Sequence, residues 1–375
     1  MAIRSGKQTA SPLVLFTGGG TGGHVFPGLA VLDRVRDYGY RTAWIGSSVG
    51  MERSIVRAHG VPFHGIPTGK LRRYRSIRNL FDVFRVAAGI VRACGIIRRE
   101  RPSVLFSKGG FVSVPPVVAA WLHRVAVISH ESDADPGLAT RINGRFSRLM
   151  LVAYAPAPSP AAASARRRRR TVVTGNPIRP EIFRGERGRG LQTVGFEPGD
   201  PRLVLLVLGG SQGAAQLNRA VAEILPRVSR QWRVIHQTGM HEVDAAGMDS
   251  STYSHAPFFR TEMPDLLAAA DVVLCRAGAS TIWEAACLAK PMLLVPLIVG
   301  SRGDQVRNAA RFEVAGAARV FIRDATLGDD IVCALNALGD DPGLRATMGQ
   351  AARSVVPTDA CERIAALIRT AVEQR

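Results

Sequence analysis

Phe16-Thr17-Gly18-Gly19-Gly20-Thr21-Gly22-Gly23-His24-Val25-Phe26-Pro27-Gly28-Leu29-Ala30 decides how this chain of 375 residues is read. It follows the apolar run Leu13 to Phe16, which reads as a buried parallel strand, and it precedes a helical pattern from Val25 to Asp37. Five glycines and a threonine between a strand and a helix N-terminus make a loop whose N–H groups can face an anion, with the helix dipole behind them. His24 stands at the mouth of that loop, where a proton acceptor is useful. Further on the device returns: strand Leu203 to Leu208, loop Gly209-Gly210-Ser211-Gln212-Gly213, and a helical pattern from Ala214 to Val228. Two such openings predict two nucleotide-fold domains facing each other across a cleft.

Gly18-x-Gly20-x-x-Gly23 formally satisfies the dinucleotide fingerprint, which alone is a weak signal. The second strand, Thr42 to Ile45, ends in Gly46-Ser47-Ser48 with no carboxylate until Glu52, which argues against a ribose-binding acid at its tip. No Gly-Lys-Ser/Thr closes the loop, so a P-loop is excluded.

The length suits two domains with full cores, and 46% apolar residues with few aromatics suit an α/β protein. No apolar run reaches membrane-spanning length, and Met1 to Ser11 reads as neither a signal peptide nor an anchor. Five cysteines without CxxC spacing argue against zinc and disulfides and for a reducing cytoplasm. A formal charge of +19, from 49 basic and 30 acidic residues, favours anionic partners such as a membrane surface or a phosphorylated substrate. No zinc-finger or RRM signature appears, and no aromatic–basic interleaving, so nucleic acid is not an expected partner.

In chain order, Lys70 to Arg75 leads into a long helical pattern, Ser76 to Arg99. Ile77, Leu80, Phe81, Phe84 and Ala88 form its apolar stripe, ringed by arginines 78, 85, 92, 98 and 99. The stripe suits either a core-facing helix or one that presses into an anionic bilayer. A strand at Val104–Phe106 feeds the glycine turn Ser107-Lys108-Gly109-Gly110-Phe111. The strand Val125–Ser129 ends in His130-Glu131-Ser132-Asp133-Ala134-Asp135, polar groups placed where an open α/β sheet binds ligands. Pro-rich Ala155 to Pro160 and the run Arg166 to Arg170 mark a domain boundary. Thr174-Gly175-Asn176-Pro177-Ile178 is a turn that ends a short strand at the hinge, and Arg179 follows it as a guanidinium placed to reach a diphosphate. Arg276 to Glu284 then turns a strand into a helix with Ser280 and Thr281 near its N-terminus, and Ser301 to Ala309 opens another.

These blocks, in this order and across nearly the whole chain, resemble the MurG family of GT-B glycosyltransferases. The family implies an α/β fold of two Rossmann-like parallel-sheet domains: 1–165, 171–355, and a C-terminal helix in 356–375 packing back on the first. It implies inverting, metal-independent transfer of N-acetylglucosamine from UDP-N-acetylglucosamine to the 4-hydroxyl of undecaprenyl-diphospho-MurNAc-pentapeptide in peptidoglycan synthesis. The setting would be an anionic membrane surface on the cytoplasmic side, with no cofactor. By this resemblance Thr21, Gly22 and Gly23 contact the donor, and His24 neighbours the reacting centre. Arg179 and Ser211 hold the diphosphate, and the backbone at Arg260 meets the uracil. Ala279, Ser280, Thr281 and Glu284 cover the α-phosphate and ribose, while Asp304 and Gln305 bind sugar hydroxyls. Lys108, Gly109 and Gly110 are expected to hold the acceptor diphosphate. Two departures stand out: Ser132-Asp133 where the family often has Gln-Asn, and Asp304-Gln305 where it often has Gln-Gln. Asp133 thus adds a charge to an expected sugar contact.

The chemistry suits these residues. Leaving-group charge needs stabilisation, and with no Asp-x-Asp placed to hold a metal, Arg179 and helix N-termini at Ser211 and Ser280–Thr281 would supply it. His24, or alternatively Glu131, would take the acceptor proton. The rival readings are a glycolipid synthase of the same fold, a UDP-N-acetylglucosamine 2-epimerase, and a non-catalytic recruiting partner.

Overall fold

The computed structural model describes residues 11–69, 77–155, 170–210, 213–240, 249–298 and 303–374. They form two units: the chain up to Glu131 with Pro136–Pro177 and Cys361 onward, and Ser132–Asp135 with Ile178–Ala360.

The first unit is built on seven parallel strands, β1 Leu13–Thr17, β2 Arg41–Ser47, β3 Phe63–Ile66, β4 Val104–Ser107, β5 Ala126–Glu131, β6 Leu149–Val152 and β7 Arg170–Val173. They lie in the order 3-2-1-4-5-6-7, so the winding reverses between β1 and β4. Its helices are α1 Gly22–Arg36, α2 Glu52–Ala58, α3 Ile77–Glu100, α4 Val114–Leu122 and α5 Leu138–Phe146. Strand alternation divides the core. Val14, Phe16, Trp44, Phe106 and Ile128 pack against α1, whereas Leu13, Leu15, Ile45, Leu105 and Val127 face α3 and α4. Burial on both faces explains why these strands read as unbroken apolar runs.

The second unit has six parallel strands, β8 Leu203–Leu208, β9 Trp232–Gln237, β10 Tyr253–Ala256, β11 Val272–Cys275, β12 Met292–Leu294 and β13 Ala318–Val320, in the order 10-9-8-11-12-13. The winding again reverses beside the strand that precedes the glycine loop, here between β8 and β11. The helices are α6 Arg187–Thr193, α7 Ala215–Val228, α8 Met263–Ala269, α9 Ala279–Cys287, α10 Asp304–Val314, α11 Leu327–Asp340 and α12 Pro342–Val355. Leu217, Val221, Ile224 and Val228 of α7 and Ile331, Leu335 and Leu338 of α11 cover one face of the sheet, over Leu205, Val234 and Leu274.

The last helix, α13 Ala360–Glu373, places Ile364, Ile368 and Val372 at four-residue spacing into the core of the first unit, beside Val14 and Phe16. Arg34 of α1 pairs with Glu362 at 3.0 Å, and Arg369 stacks over Tyr38.

One sequence expectation changes, and one choice left open is decided. β7 pairs in parallel with β6 from Leu149↔Arg170 to Val152↔Val173, so residues 170–177 complete the first sheet and do not open the second domain at 171. The short strand expected at the hinge is thus the edge strand of the first sheet. The choice left open concerned the face that α3 buries, and the stripe at Phe84 and Ala88 is not the core-facing one on this helix. Ala93, Ile96 and Ile97 are its core residues, with Gly89 inward, while Phe84 is 66% exposed and Ala88 also faces out. Both phases satisfy a 3.6-residue period, so periodicity alone could not separate them.

Helix α6 contains two glycines in opposite settings. A Cβ on Gly188 meets nothing within 4 Å, whereas one on Gly190 would stand 2.3 Å from the Asp265 carbonyl oxygen of α8. Asp265 in turn accepts from Arg189 at 2.5 and 2.6 Å and from the Glu186 N–H at 2.8 Å, locking the two helices together. Gly188→Ala is expected to stabilise the second unit by about 0.5 kcal/mol through helix propensity. Gly190→Ala should destabilise it by about 1–3 kcal/mol through overpacking. Urea unfolding of the two variants measures the pair, and equal effects would contradict this packing.

Candidate active site

Ligands of an open α/β sheet bind at the carboxyl ends of its strands, at the winding reversal. In the first unit that point is flanked by the loop after β1 and the turn after β4. The two loops are pressed together. A Cβ on Gly110, whose φ is +79°, would lie 2.3 Å from the Gly19 carbonyl oxygen, so only glycine serves there. The β4 turn is fixed from behind: Asn143 of α5 donates to the hydroxyls of Ser113 at 2.7 Å and Ser107 at 3.3 Å, and Ser113 donates to the Gly110 carbonyl at 2.7 Å. The Gly109 N–H is taken by Ser107 at 3.3 Å, while among the described residues the Gly110 N–H has no partner.

The β1 loop rests on a carboxylate. Glu52, in the first turn of α2, has no exposed surface; its Oε1 accepts from the Ser47 N–H at 2.9 Å and its Oε2 from the Gly20 N–H at 3.2 Å. A Cβ on Gly19 or Gly50 would stand 2.5 Å from the Glu52 carboxyl carbon. The first acid after β2 therefore turns inward to shape the glycine loop, an arrangement no ribose-binding acid would adopt. Trp44 adds a second support, its indole N–H donating to the Gly18 carbonyl at 3.2 Å. Sequence reading missed both residues; the glycines at 19 and 50 that make room for Glu52 were the available signal.

His24 lies in the first turn of α1, half-buried, with Nδ1 2.9 Å from the Thr21 hydroxyl. Burial, assisted by the Lys108 charge, lowers its pKa from 6.5 to about 4, so the ring is neutral near pH 7. In the tautomer whose Nδ1–H donates to the Thr21 hydroxyl, Nε2 carries the lone pair that can take a proton. Gly109 keeps that edge open, since a Cβ there would stand 3.8 Å from Nε2. Lys108 is only 1% exposed, so it acts on this site mainly through its field. Gly22 and Gly23 form the first residues of α1, whose N-terminus no side chain caps.

The polar run after β5 splits. His130 is buried with Nε2 donating to the Gly175 carbonyl at 2.9 Å, and burial and Lys108 hold it well below its usual pKa. Glu131 is 7% exposed and its Oε2 accepts from the Gly137 N–H at the start of α5 at 3.3 Å, a supporting position. Asp133 belongs with the second unit, where its Oδ1 accepts from Asn308 at 3.0 Å.

In the second unit, Ser211 and Gln212 of the glycine loop lie outside the described residues, as do Lys70 to Arg75 and residues 166–169 of the arginine run. What remains of the loop has Gly210 at φ +82° and Gly213 at φ +77°, and α7 follows without a side-chain cap. Arg179 and Glu284 come together: the guanidinium Nε and NH2 lie 3.2 and 3.1 Å from Glu284 Oε1. Burial raises the Glu284 pKa, and Arg179 opposes that rise. Glu284 sits one turn into α9, where Ala279, Ser280 and Thr281 present an N-terminus with no side-chain cap. The Arg260 N–H donates to Glu262 at 2.9 Å, which leaves its carbonyl as the backbone group for a base. Gln237, missed in the sequence, joins two loops here, accepting from the Phe259 N–H at 3.1 Å and donating to the Gly210 carbonyl at 3.4 Å.

Asp304 and Gln305 open α10 after Gly303. Gln305 accepts from the Leu297 N–H at 2.8 Å; Asp304 pairs with Arg307 at 2.8 Å, and Arg307 also pairs with Asp135 at 2.6 Å. Asn308, fully buried, ties the Asp133–Ala134 segment to Ala277. The two aspartates that depart from the family pattern are thus each met by a donor within the unit.

Comparison with known proteins accounts for this architecture. The glycosyltransferase family 28 N-terminal domain matches residues 14–152, and the family 28 C-terminal domain matches 204–364. A Treponema pallidum protein named UDP-N-acetylglucosamine–N-acetylmuramyl-(pentapeptide) pyrophosphoryl-undecaprenol N-acetylglucosamine transferase is 44% identical over 342 residues, covering 88% of each chain. A Legionella pneumophila protein of the same name is 37% identical over 360 residues, covering 96% of this chain and 97% of its own. The crystal structure of Acinetobacter baumannii MurG shares the fold, with a TM-score of 0.73 at 24% identity over 96% of this chain and 99% of that one. A chain with this identity along its length, these paired domains and these glycine loops belongs to the MurG family of glycosyltransferases.

Proposed function

We propose that this protein transfers N-acetylglucosamine from UDP-N-acetylglucosamine to the 4-hydroxyl of undecaprenyl-diphospho-MurNAc-pentapeptide. The observation that carries this reading is His24: a neutral imidazole held by Thr21, with its Nε2 edge left clear by Gly109, at the winding reversal of the first sheet. It supports a general base more strongly than Glu131, whose carboxylate is engaged at the start of α5.

The proton of the acceptor 4-hydroxyl passes to His24 Nε2 as that oxygen attacks the anomeric carbon. The bond from that carbon to the UDP oxygen breaks on the opposite face, so configuration inverts. Charge that develops on the departing diphosphate is met by Arg179, the open N-terminus of α9 at Ala279–Thr281, and Ser211. When the donor binds, Arg179 exchanges Glu284 for the diphosphate, and Glu284 is released to accept from the ribose hydroxyls. Thr21, Gly22 and Gly23 line the donor from the first unit; Asp304, Gln305 and Asp133 are its sugar-side groups, and the Arg260 carbonyl meets the base. The acceptor diphosphate takes the Gly110 N–H, within the field of Lys108.

The exposed apolar face of α3, with Val83, Phe84 and Val91 at 52%, 66% and 73% exposure, and Trp121 and Leu122 at the end of α4 suit a protein lying on a membrane. Among the described residues no helix is long and apolar enough to cross one. The proposed setting is the cytoplasmic face of an anionic membrane, where the product enters peptidoglycan synthesis.

Incubation with sugar-labelled UDP-N-acetylglucosamine and the lipid-linked acceptor should give labelled glycolipid. Free epimerised sugar nucleotide, or transfer to diacylglycerol instead, would overturn the assignment. His24→Ala should lower kcat by about 10²–10⁴ while calorimetric donor affinity stays unchanged; an unaltered kcat would remove His24 from the chemistry. Because His24 is neutral down to about pH 4, the acid limb of kcat/KM should fall well below 6.5. Lys108→Met removes a charge that lowers the His24 pKa, so that limb should move to higher pH. A limb at 6.5 that this substitution leaves in place would contradict the electrostatic reading.

A further inference from the structure

A basic pocket of about 680 Å³ lies along the outer edge of the first sheet, lined by Ser48, Arg53, Arg57, His64, Arg92 and Arg99. Its cations come from two helices at same-face spacings, i and i+4 on α2 and i and i+7 on α3. Gly95 adds room, since a Cβ there would meet nothing within 4 Å.

These charges are oriented but little neutralised. Arg92 Nε donates to the Gly65 carbonyl at 2.9 Å, and Arg53 NH1 to the Ser48 carbonyl at 3.2 Å. Carbonyls aim a guanidinium without cancelling its charge. Among the described residues the Arg57 side chain has neither hydrogen bond nor ion pair. Among the described residues, the carboxylate in contact with these groups is Glu100, which pairs with Arg99 at 3.0 Å and lies 3.5 Å from His64 Nε2. Among the described residues, one of the four guanidiniums is thus paired with an acid.

Arginine is abundant in this chain, and several others are neutralised inside it. Arg187, Arg189, Arg202 and Arg307 each pair with an aspartate. Converging like charges in a concavity raise the local potential for an anion, and guanidiniums match phosphate oxygens bidentately.

We propose that this pocket is a binding site for a phosphate-bearing group, a phosphomonoester or diphosphate, held chiefly by Arg57 and Arg92 and distinct from the sugar-nucleotide site. Such a group reaches it either as a soluble anion or as a phospholipid headgroup.

Calorimetry with sodium diphosphate, in saturating UDP so that the donor site is filled, is the first test. The double variant R57S/R92S should bind diphosphate at least tenfold more weakly, with UDP affinity and melting profile unchanged; R57Q alone should show a smaller loss in the same direction. Sedimentation with phosphatidylglycerol-containing vesicles separates the sources. A headgroup ligand predicts weaker sedimentation of the double variant and competition by free diphosphate. A soluble ligand predicts equal sedimentation with lost diphosphate binding. Wild type and double variant that match in both measurements would overturn the proposal.

Discussion

A carboxylate with no exposed surface holds up the first glycine loop. Glu52 accepts from the backbone on both sides of the β1–β2 edge, at Gly20 and at Ser47, and the loop can only reach it because positions 19 and 50 lack a Cβ. Everything that the first unit offers to chemistry follows from that seating. The loop fixes Thr21, Thr21 fixes the His24 ring, and the same loop meets the β4 turn so closely that residue 110 must be glycine. Hydrogen bonds from backbone to a charged group are stronger than neutral ones, which suits an element that must hold a strained loop still.

The second unit solves a similar problem with charge instead of sterics. Arg179 and Glu284 neutralise each other at the start of α9, the pair proposed to meet the diphosphate and the ribose. Arg307 stands between Asp135 and Asp304, and Asn308 satisfies the neighbouring Asp133 and Ala134. A partly buried ion pair that can trade one partner for a ligand keeps each charge satisfied before and after binding, which limits the desolvation cost of either state.

Much of this was legible in the chain, for definite reasons. Glycine loops between a strand and a helix announce themselves because few other residues tolerate positive φ and such close backbone approach. Strands buried on both faces appear as apolar runs, and this exposed β1, β4, β8 and β11 at once. The supporting shell was not legible. Glu52 is thirty-two positions from Gly20, and Gln237 binds loops that only tertiary folding brings near it. The phase of α3 stayed open in the sequence because an aromatic such as Phe84 suits a core or a surface alike, while the inward groups Gly89 and Ala93 are small and make a weak signal. The short strand before Thr174 was legible, but not that it completes the first sheet, because pairing with β6 is a tertiary contact that its Thr-Val-Val run does not encode.

Helix α13 gives the first unit an unusual dependence on the order in which the chain is made. Its residues from Cys361 onward are synthesised only after all of the second unit, 178–360, has emerged. Until then the face carrying Val14, Phe16 and Leu151 lacks Ile364 and Ile368. On the ribosome the later unit can therefore reach its native state while the earlier one still shows a sticky, unfinished side to chaperones.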